Sequence, residues 1–397
     1  MTTYTSSVKW NKVNAVFELT IETDSGEKSV VEVTSDYHGK LPTLPLLGAF
    51  FSGELPQSQI VCLRGNVEGP LGYIFNTSLA FERDKSQPEV SWFSGVAISA
   101  GHWALSNLDQ PTLKRVFELQ QPTVSHQDVF DDSVCIAVLR RTESARCDLL
   151  QFEQIDHQLF SLGFVRGSAK TQTNPQNFAE AVEEQIDCTG NVDLSILPIN
   201  TKHLRFISET FTQHIPLNHN PLMHFFFYYQ LIELMLEEIS AQKIAESVDR
   251  LINSKSSSIR TRVRDEAQKL QAALKEASNI NNLFSIAGPQ RADLEDLKTT
   301  ISKAIDPEEK IKDNSIADHL YLLRNLLFHN YRGPESISSI KLSGINSALR
   351  RIIPKLISSI FVENLHRNNR DARETPTISS IYDLNFPHLC SQTKDLD

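Results

Sequence analysis

The apolar pattern of the chain changes period near residue 200, and this change constrains the fold more than any other feature. Before it, FELTIETDSGEKSVVEVTS alternates apolar and polar residues on either side of Asp24-Ser25-Gly26. A period of two with a short Gly-containing turn predicts a hairpin of half-buried strands. QIVCLRG, LGYIFNTSLAFER, VSWFSGVAIS and SVCIAVLRR read as further short strands. Pro, Gly, Asn and Asp punctuate them at the spacing of an all-β sandwich or barrel. HWALSNLDQPTLKRVFEL adds one short helix to this front half.

From about residue 200 the period becomes helical. Asn220-Pro221 is a helix start, because Asn can accept from orphan amides and Pro needs no partner at the first helical position. LMHFFFYYQLIELMLEEISAQKIAESVDRLI follows it, apolar on more than one face. Further helices are predicted over RTRVRDEAQKLQAALKEAS, ADLEDLKTTISKAI, SIADHLYLLRNLLFHNY (ended by Gly333-Pro334) and SSIKLSGINSALRRIIPKLISSIFVEN, the last kinked by Pro354. Asp293 and Glu295 sit favourably near the positive end of the helix over ADLEDLKTTISKAI. There is no internal repeat and no sustained heptad seam, so the expectation is a compact bundle. The fold class is therefore α+β in two segregated domains: a mainly-β sandwich or barrel-like domain over 1–165 and an all-α bundle over 201–365. Residues 166–200 read as a linker with a possible short helix near 177–186, and 366–397 as a flexible tail.

Charge divides along the same line. Residues 1–200 hold 14 basic and 25 acidic side chains, and the remainder 25 basic and 24 acidic. A negative field repels nucleic acid at long range, so nucleic-acid handling falls to the second half. No apolar run approaches the roughly 18 residues needed to span a bilayer, and MTTYTSSVKWNKV lacks the apolar stretch of a signal peptide. Cys62, Cys135, Cys147, Cys188 and Cys390 are odd in number and scattered, the pattern of reduced thiols and a cytoplasmic chain. RGNVEGPLG carries neither phosphate-loop glycine pattern, and no GxSxG occurs. His214, His219 and His224 recur every five residues through a Pro-containing loop, a spacing that does not align imidazoles for a metal.

One helix carries a chemical signal. At about 100° per residue, Leu320, Leu322, Leu323, Leu326 and Leu327 form a broad apolar stripe. Tyr321, Arg324, Asn325, Phe328 and His329 fall on the opposite face, with Asn325 and His329 one turn apart. Imidazole can give or take a proton near neutral pH, and the planar guanidinium fork suits phosphate oxygens. Asn325 can orient either group, and Tyr321 can stack on a base. Glu233, inside the apolar run LIELML, needs a partner if buried, and Arg324 is a candidate. Arg260, Arg262 and Arg264, with Arg350, Arg351 and Lys355, form basic clusters able to track an RNA backbone, although a solvated helix face is the simpler account of them.

Arg324-Asn325-Leu326-Leu327-Phe328-His329 resembles the Arg-x4-His signature of HEPN domains, including the polar residue that follows the Arg. YYQLIELMLEE is similar to the opening helix of Apea-like HEPN domains. The resemblance covers about 205–365, and a β-rich half ahead of such a bundle resembles, in layout alone, anti-phage HEPN proteins. It implies a metal-independent endoribonuclease with no cofactor, in which Arg324, Asn325 and His329 are catalytic and Tyr321 and Glu233 support them. One Arg and one His are too few for two proton transfers and a phosphate clamp, and in HEPN ribonucleases two motifs meet across a dimer. The resemblance thus implies a homodimer acting on RNA in anti-phage defence or abortive infection, restrained or triggered by the front domain, with a phage protein as the possible trigger. Two alternatives stay open: a non-catalytic HEPN dimerisation or interaction protein, and the toxin of a toxin–antitoxin pair.

Overall fold

The computed structural model describes residues 2–42, 46–53, 55, 59–65, 70–83, 91–131, 134–140, 150–167, 190–252, 263–265, 268, 280, 283–285, 291–305, 315–329 and 339–373. It is α+β, with a β-rich front region and a mostly helical region behind it. The first sheet orders β1 (Tyr4–Asn11), β2 (Val16–Thr23), β3 (Lys28–Thr34) and a short β7 (Thr123–Val124) side by side. β2 and β3 form the antiparallel hairpin that Asp24-Ser25-Gly26 predicts, and Gly26 supplies the positive φ of +85° that the turn requires. The alternation is faithful: Phe17, Leu19 and Ile21 of β2 are fully buried, as are Val31 and Val33 of β3.

The second sheet contains β4 (Leu46–Ser52), β5 (Ile60–Arg64), β6 (Pro70–Asn76), β8 (Val134–Arg140), β9 (Val165–Arg166) and β10 (Asn191–Asp193), in the order β10-β5-β6-β8-β4-β9. β8 reads VCIAVLR without alternation because both of its faces are covered. Val134, Ile136 and Val138 enter one core, and Cys135, Ala137 and Leu139 enter another.

Two features depart from the sequence expectation. VSWFSGVAIS is not a strand: its residues 91–99 lie in helix α1 (Ser91–Ser106), and Val90 lies outside the described residues. A short apolar run does not distinguish a strand from a buried helix by period alone. The environment decides here, since α1 packs against both sheets. Phe93 meets Phe75 with ring centroids 5.2 Å apart, and Trp103 meets Phe50 at 4.8 Å. On the other side Gly101 is so close to the first sheet that a Cβ there would lie 3.1 Å from Phe17. A helix between two sheets replaces direct sheet-on-sheet packing, so the sandwich or barrel expectation does not hold. Helix α2 (Gln110–Glu118), capped by Asp109 accepting from the Thr112 amide, packs against β1.

The second departure concerns the boundary. Helix α3 (Asp156–Ser161) and strand β9 place Phe160 and Val165 in the same core as the helical region, and Leu197 joins them. Asn191–Asp193 pairs in parallel with β5. At both ends of the expected linker, residues 165–167 and 190–200, the chain is thus packed against the two regions, while residues 168–189 lie outside the described residues. The possible helix near 177–186 lies outside the described residues.

The helical region comprises α4 (Leu204–Glu209), a π-helical turn at Thr210–His214, α5 (Pro221–Ile252), α6 (Arg291–Ala304), α7 (Ile316–His329) and α8 (Ser339–Arg373). Asn220 caps α5 by accepting from the Leu222 amide at 3.0 Å. Ser315 and Asp318 cap α7 reciprocally, side chain to amide in both directions. Its core draws on Leu231, Ile232 and Met235 of α5, Leu320 and Leu323 of α7, and Ile345, Leu349, Ile352 and Leu356 of α8. Most of RTRVRDEAQKLQAALKEAS and Gly333-Pro334 lie outside the described residues, and α8 carries helical backbone to Arg373, into the segment expected as tail. Among the described residues, no helix is long and apolar enough to cross a membrane.

Candidate functional site

Side chains from α5 and α7 meet around Arg324. Helix α7 turns Leu320, Leu323 and Leu327 into the core, with Leu322 and Leu326 packed against it. The opposite face is left outward, and Tyr321 and Phe328 are 39% and 47% exposed. On α5, Phe226, Tyr229 and Glu233 recur at spacings of three and four, so they share one side of the helix. Phe226 and Phe328 bring the helices together with ring centroids 4.5 Å apart.

Arg324 lies among these groups. Its guanidinium carbon is 5.0 Å from the Phe328 ring centroid and 5.7 Å from that of Tyr229. Nη2 is 3.7 Å from Glu233 Oε1, and Nη1 donates to Asn325 Oδ1 at 3.2 Å. A separation of 3.7 Å is an ion-pair contact, longer than a direct N–H···O bond. Both side chains are partly exposed, so the pair contributes at most about 1 kcal/mol to stability. What the contacts achieve is orientation: two aromatic rings, a carboxylate and an amide restrict a long side chain beside an exposed aromatic face. Arg324 Nε is buried and has no hydrogen-bond partner among the described residues. His329 closes α7, so its backbone stands one turn past Asn325; its side chain lies outside the described residues.

The structure brings Glu233, Arg324 and Asn325 into contact, with Tyr321 one turn earlier on the same helix face. Arg350, Arg351 and Lys355 are engaged with other elements. Arg350 is buried, donates to the Phe160 carbonyl at 3.1 Å and stacks on the Phe160 ring at 4.6 Å. It cannot track an RNA backbone, because α8 turns that face toward α3. Arg351 is bonded to Asp296 at 2.6 Å and Lys355 to Asp293 at 3.0 Å, so acidic side chains of α6 already offset both. Arg264 is exposed, while Arg260 and Arg262 lie outside the described residues. The histidine triplet forms no metal cluster among the described residues. His214 stacks on Phe227, and His224 hydrogen-bonds the Asn218 carbonyl.

Sequence reasoning did not single out Phe226, Tyr229 or Phe328 as the walls around the arginine. The run FFFYYQ contains two of them, but helical spacing alone does not tell a core aromatic from one that lines a site. It also missed a buried ionic cluster at the joint between the two regions. Asp156, 2% exposed, accepts from Arg166 Nε at 2.9 Å and Nη2 at 2.7 Å, and from Ser208 Oγ at 2.7 Å. Burial pushes the Asp156 carboxyl up to about 6, against the opposing pull of Arg166. For Arg166 burial lowers the pKa, but Asp156 and Glu153 together outweigh it and raise it.

Comparison with known proteins returns no match to any family model, curated protein or solved structure. The reading of the α5–α7 face therefore rests on its own geometry and chemistry.

Proposed function

We propose that this chain is a metal-independent endoribonuclease of the HEPN type, with its chemistry on the outward face of α7. The observation that carries this reading is the oriented Arg324, held by Glu233 and Asn325 beside exposed Tyr321 and Phe328, on the helix that His329 ends. RNA supplies its own nucleophile. A base takes the proton of the 2′-OH, the 2′-oxygen attacks the adjacent phosphorus, and the 5′-oxygen leaves as it takes a proton, giving a 2′,3′-cyclic phosphate and a 5′-OH. His329 is the proton-transfer group, and Arg324 offsets the charge that builds on the phosphoryl oxygens. Tyr321 and Phe328 offer stacking surfaces to unpaired bases. A second proton-transfer group comes from a second copy, so the active form is a homodimer with two α7 faces in one cleft. The acidic front region holds the activity in check until a protein ligand, of phage origin in a defence setting, engages it.

An Arg324 guanidinium within about 6 Å of two aromatic rings also suits a face that only binds, and this observation favours a second reading, a non-catalytic dimerisation module. A test separates the two. The full chain is incubated with total RNA in EDTA, beside Arg324→Ala and His329→Ala. Fragments ending in 2′,3′-cyclic phosphate from the native chain, absent with both variants, support the enzyme. Intact RNA in vitro, together with equal growth of cells expressing any of the three, supports the binding module. A toxin restrained by a separate antitoxin keeps the same chemistry, and its mark is growth arrest that a co-expressed second chain relieves.

A further inference from the structure

A cleft of about 650 Å³ opens at the joint between the two regions, away from the α7 face, where segments 151–167 and 199–213 meet. Arg166 and Ser208 line it, and Asp156 lies buried beneath them. Asp156 is spent on orienting Arg166 through two parallel bonds, the geometry that fixes a guanidinium plane. Nη2 also reaches Glu153 Oε1 at 3.1 Å and Ser208 Oγ at 3.2 Å. Nη1 has no partner among the described residues, and Arg166 lines the cleft. On the facing segment Arg205 Nε donates to Glu209 Oε1 at 2.7 Å, which leaves both terminal guanidinium nitrogens and Glu209 Oε2 without partners among the described residues. The Thr201 hydroxyl, in the same wall, is buried without a hydrogen-bond partner.

Two backbone distortions converge on the same walls. His203 adopts a left-handed conformation with φ of +65°, and the π-helical turn at Thr210–His214 contributes Thr212 and Gln213. Both are costly conformations that concentrate at ligand sites.

The charges decide the ligand class. Arg166 and Arg205 stand against Glu153, Glu209 and the underlying Asp156, one negative charge in excess. Such walls repel a polyphosphate and give a polycation too little to hold it. They offer free donors and free acceptors at once, with apolar area from Ile199 and Leu204 beside them. We infer that this cleft binds a small zwitterion of the free α-amino acid class, its carboxylate on the Arg166 and Arg205 donors and its ammonium on the Glu153 and Glu209 oxygens. The bound molecule touches β9 of the second sheet and α4 of the helical region, so occupancy strengthens the joint between them. This inference does not depend on the ribonuclease reading.

The test uses the full chain without RNA. The melting temperature is recorded with each of the common amino acids, and with inorganic phosphate and spermidine as probes of single-sign ligands, and hits are titrated by calorimetry. The expected result is a rise of a few degrees with one or a few amino acids and none with phosphate or spermidine. Arg205→Gln and Glu209→Gln, both on the rim, are expected to weaken that binding about tenfold or more while the ligand-free melting temperature stays unchanged. Binding of phosphate or spermidine in place of amino acids overturns the assignment. So does the absence of any calorimetric binding, or binding that neither rim variant weakens.

Discussion

Arg324 and His157 show how differently two polar residues are used. Arg324 touches rings and a carboxylate at partly exposed positions, so its removal costs little stability. Arg324→Ala is expected to lower stability by no more than about 1 kcal/mol in urea denaturation and, under the proposed ribonuclease function, to abolish RNA cleavage. Arg324→Lys keeps the charge and loses the planar fork, and activity is expected to fall nearly as far. His157 is fully buried at the joint, with Nε2 3.0 Å from Ser358 Oγ, and burial pushes its pKa from 6.5 down to about 3. Between those values the unfolded chain holds a proton that the native chain refuses, so stability falls as the pH drops from about 6.5. Asp156 acts in the opposite direction: its native pKa near 6 exceeds the ordinary 3.8, so acidification through that window relieves a cost. Comparing native protein with His157→Gln isolates the first effect. Denaturation midpoints at pH 7.5 and 5 are expected to fall further for the native chain, and parallel losses would count against it.

At the scale of elements, α1 is the informative one. It is a helix because its two sides must meet two sheets, and the strands make room for it. Gly48 of β4 lies under Trp103 so closely that a Cβ would sit 2.5 Å from the indole. Gly48→Ala is expected to destabilise the protein by roughly 1–3 kcal/mol and to shift Trp103 fluorescence, because the ring must move or the strand must bend. Helix α7 behaves as its pattern predicts: a leucine stripe inward and a polar-aromatic face outward. Leu323, fully buried, is expected to cost about 2–5 kcal/mol when cut to Ala.

Across the whole molecule, the two regions share structure at their joint. Phe160 packs in the helical core, Arg350 binds its carbonyl and its ring, and Gln158 and His157 both reach Ser358. A chain beginning at residue 200 lacks Phe160, Val165 and Leu197 and leaves Arg350 buried without its acceptor. It is expected to bind a hydrophobic dye and to melt well below a chain beginning at residue 150, measured side by side by fluorescence and calorimetry. Phe160→Ala in the full chain is expected to cost about 3–5 kcal/mol and to weaken amide protection in α8 as well as α3.

The sequence by itself determined where each period holds: the β2–β3 hairpin with its Gly26 turn, the capped start of α5 at Asn220, and the two faces of α7. These are local, since one turn residue or one repeat of apolar side chains selects the conformation without reference to distant chain. The pairing of Glu233 with Arg324 is expected because a carboxylate inside an apolar run calls for a cation; the structure sets the two 3.7 Å apart, yet leaves the Glu233 side chain half exposed, so burial is not what demands the partner. The tertiary structure decided the rest. VSWFSGVAIS is apolar under either period, and only the presence of two sheets to cover makes it a helix. Arg350 and Arg351 adjoin in sequence, yet α8 turns one into the joint and the other toward α6, which separates a buried structural cation from a surface ion pair. The Asp156–Arg166–Ser208 cluster joins residues from three elements, so no spacing in the sequence could announce it.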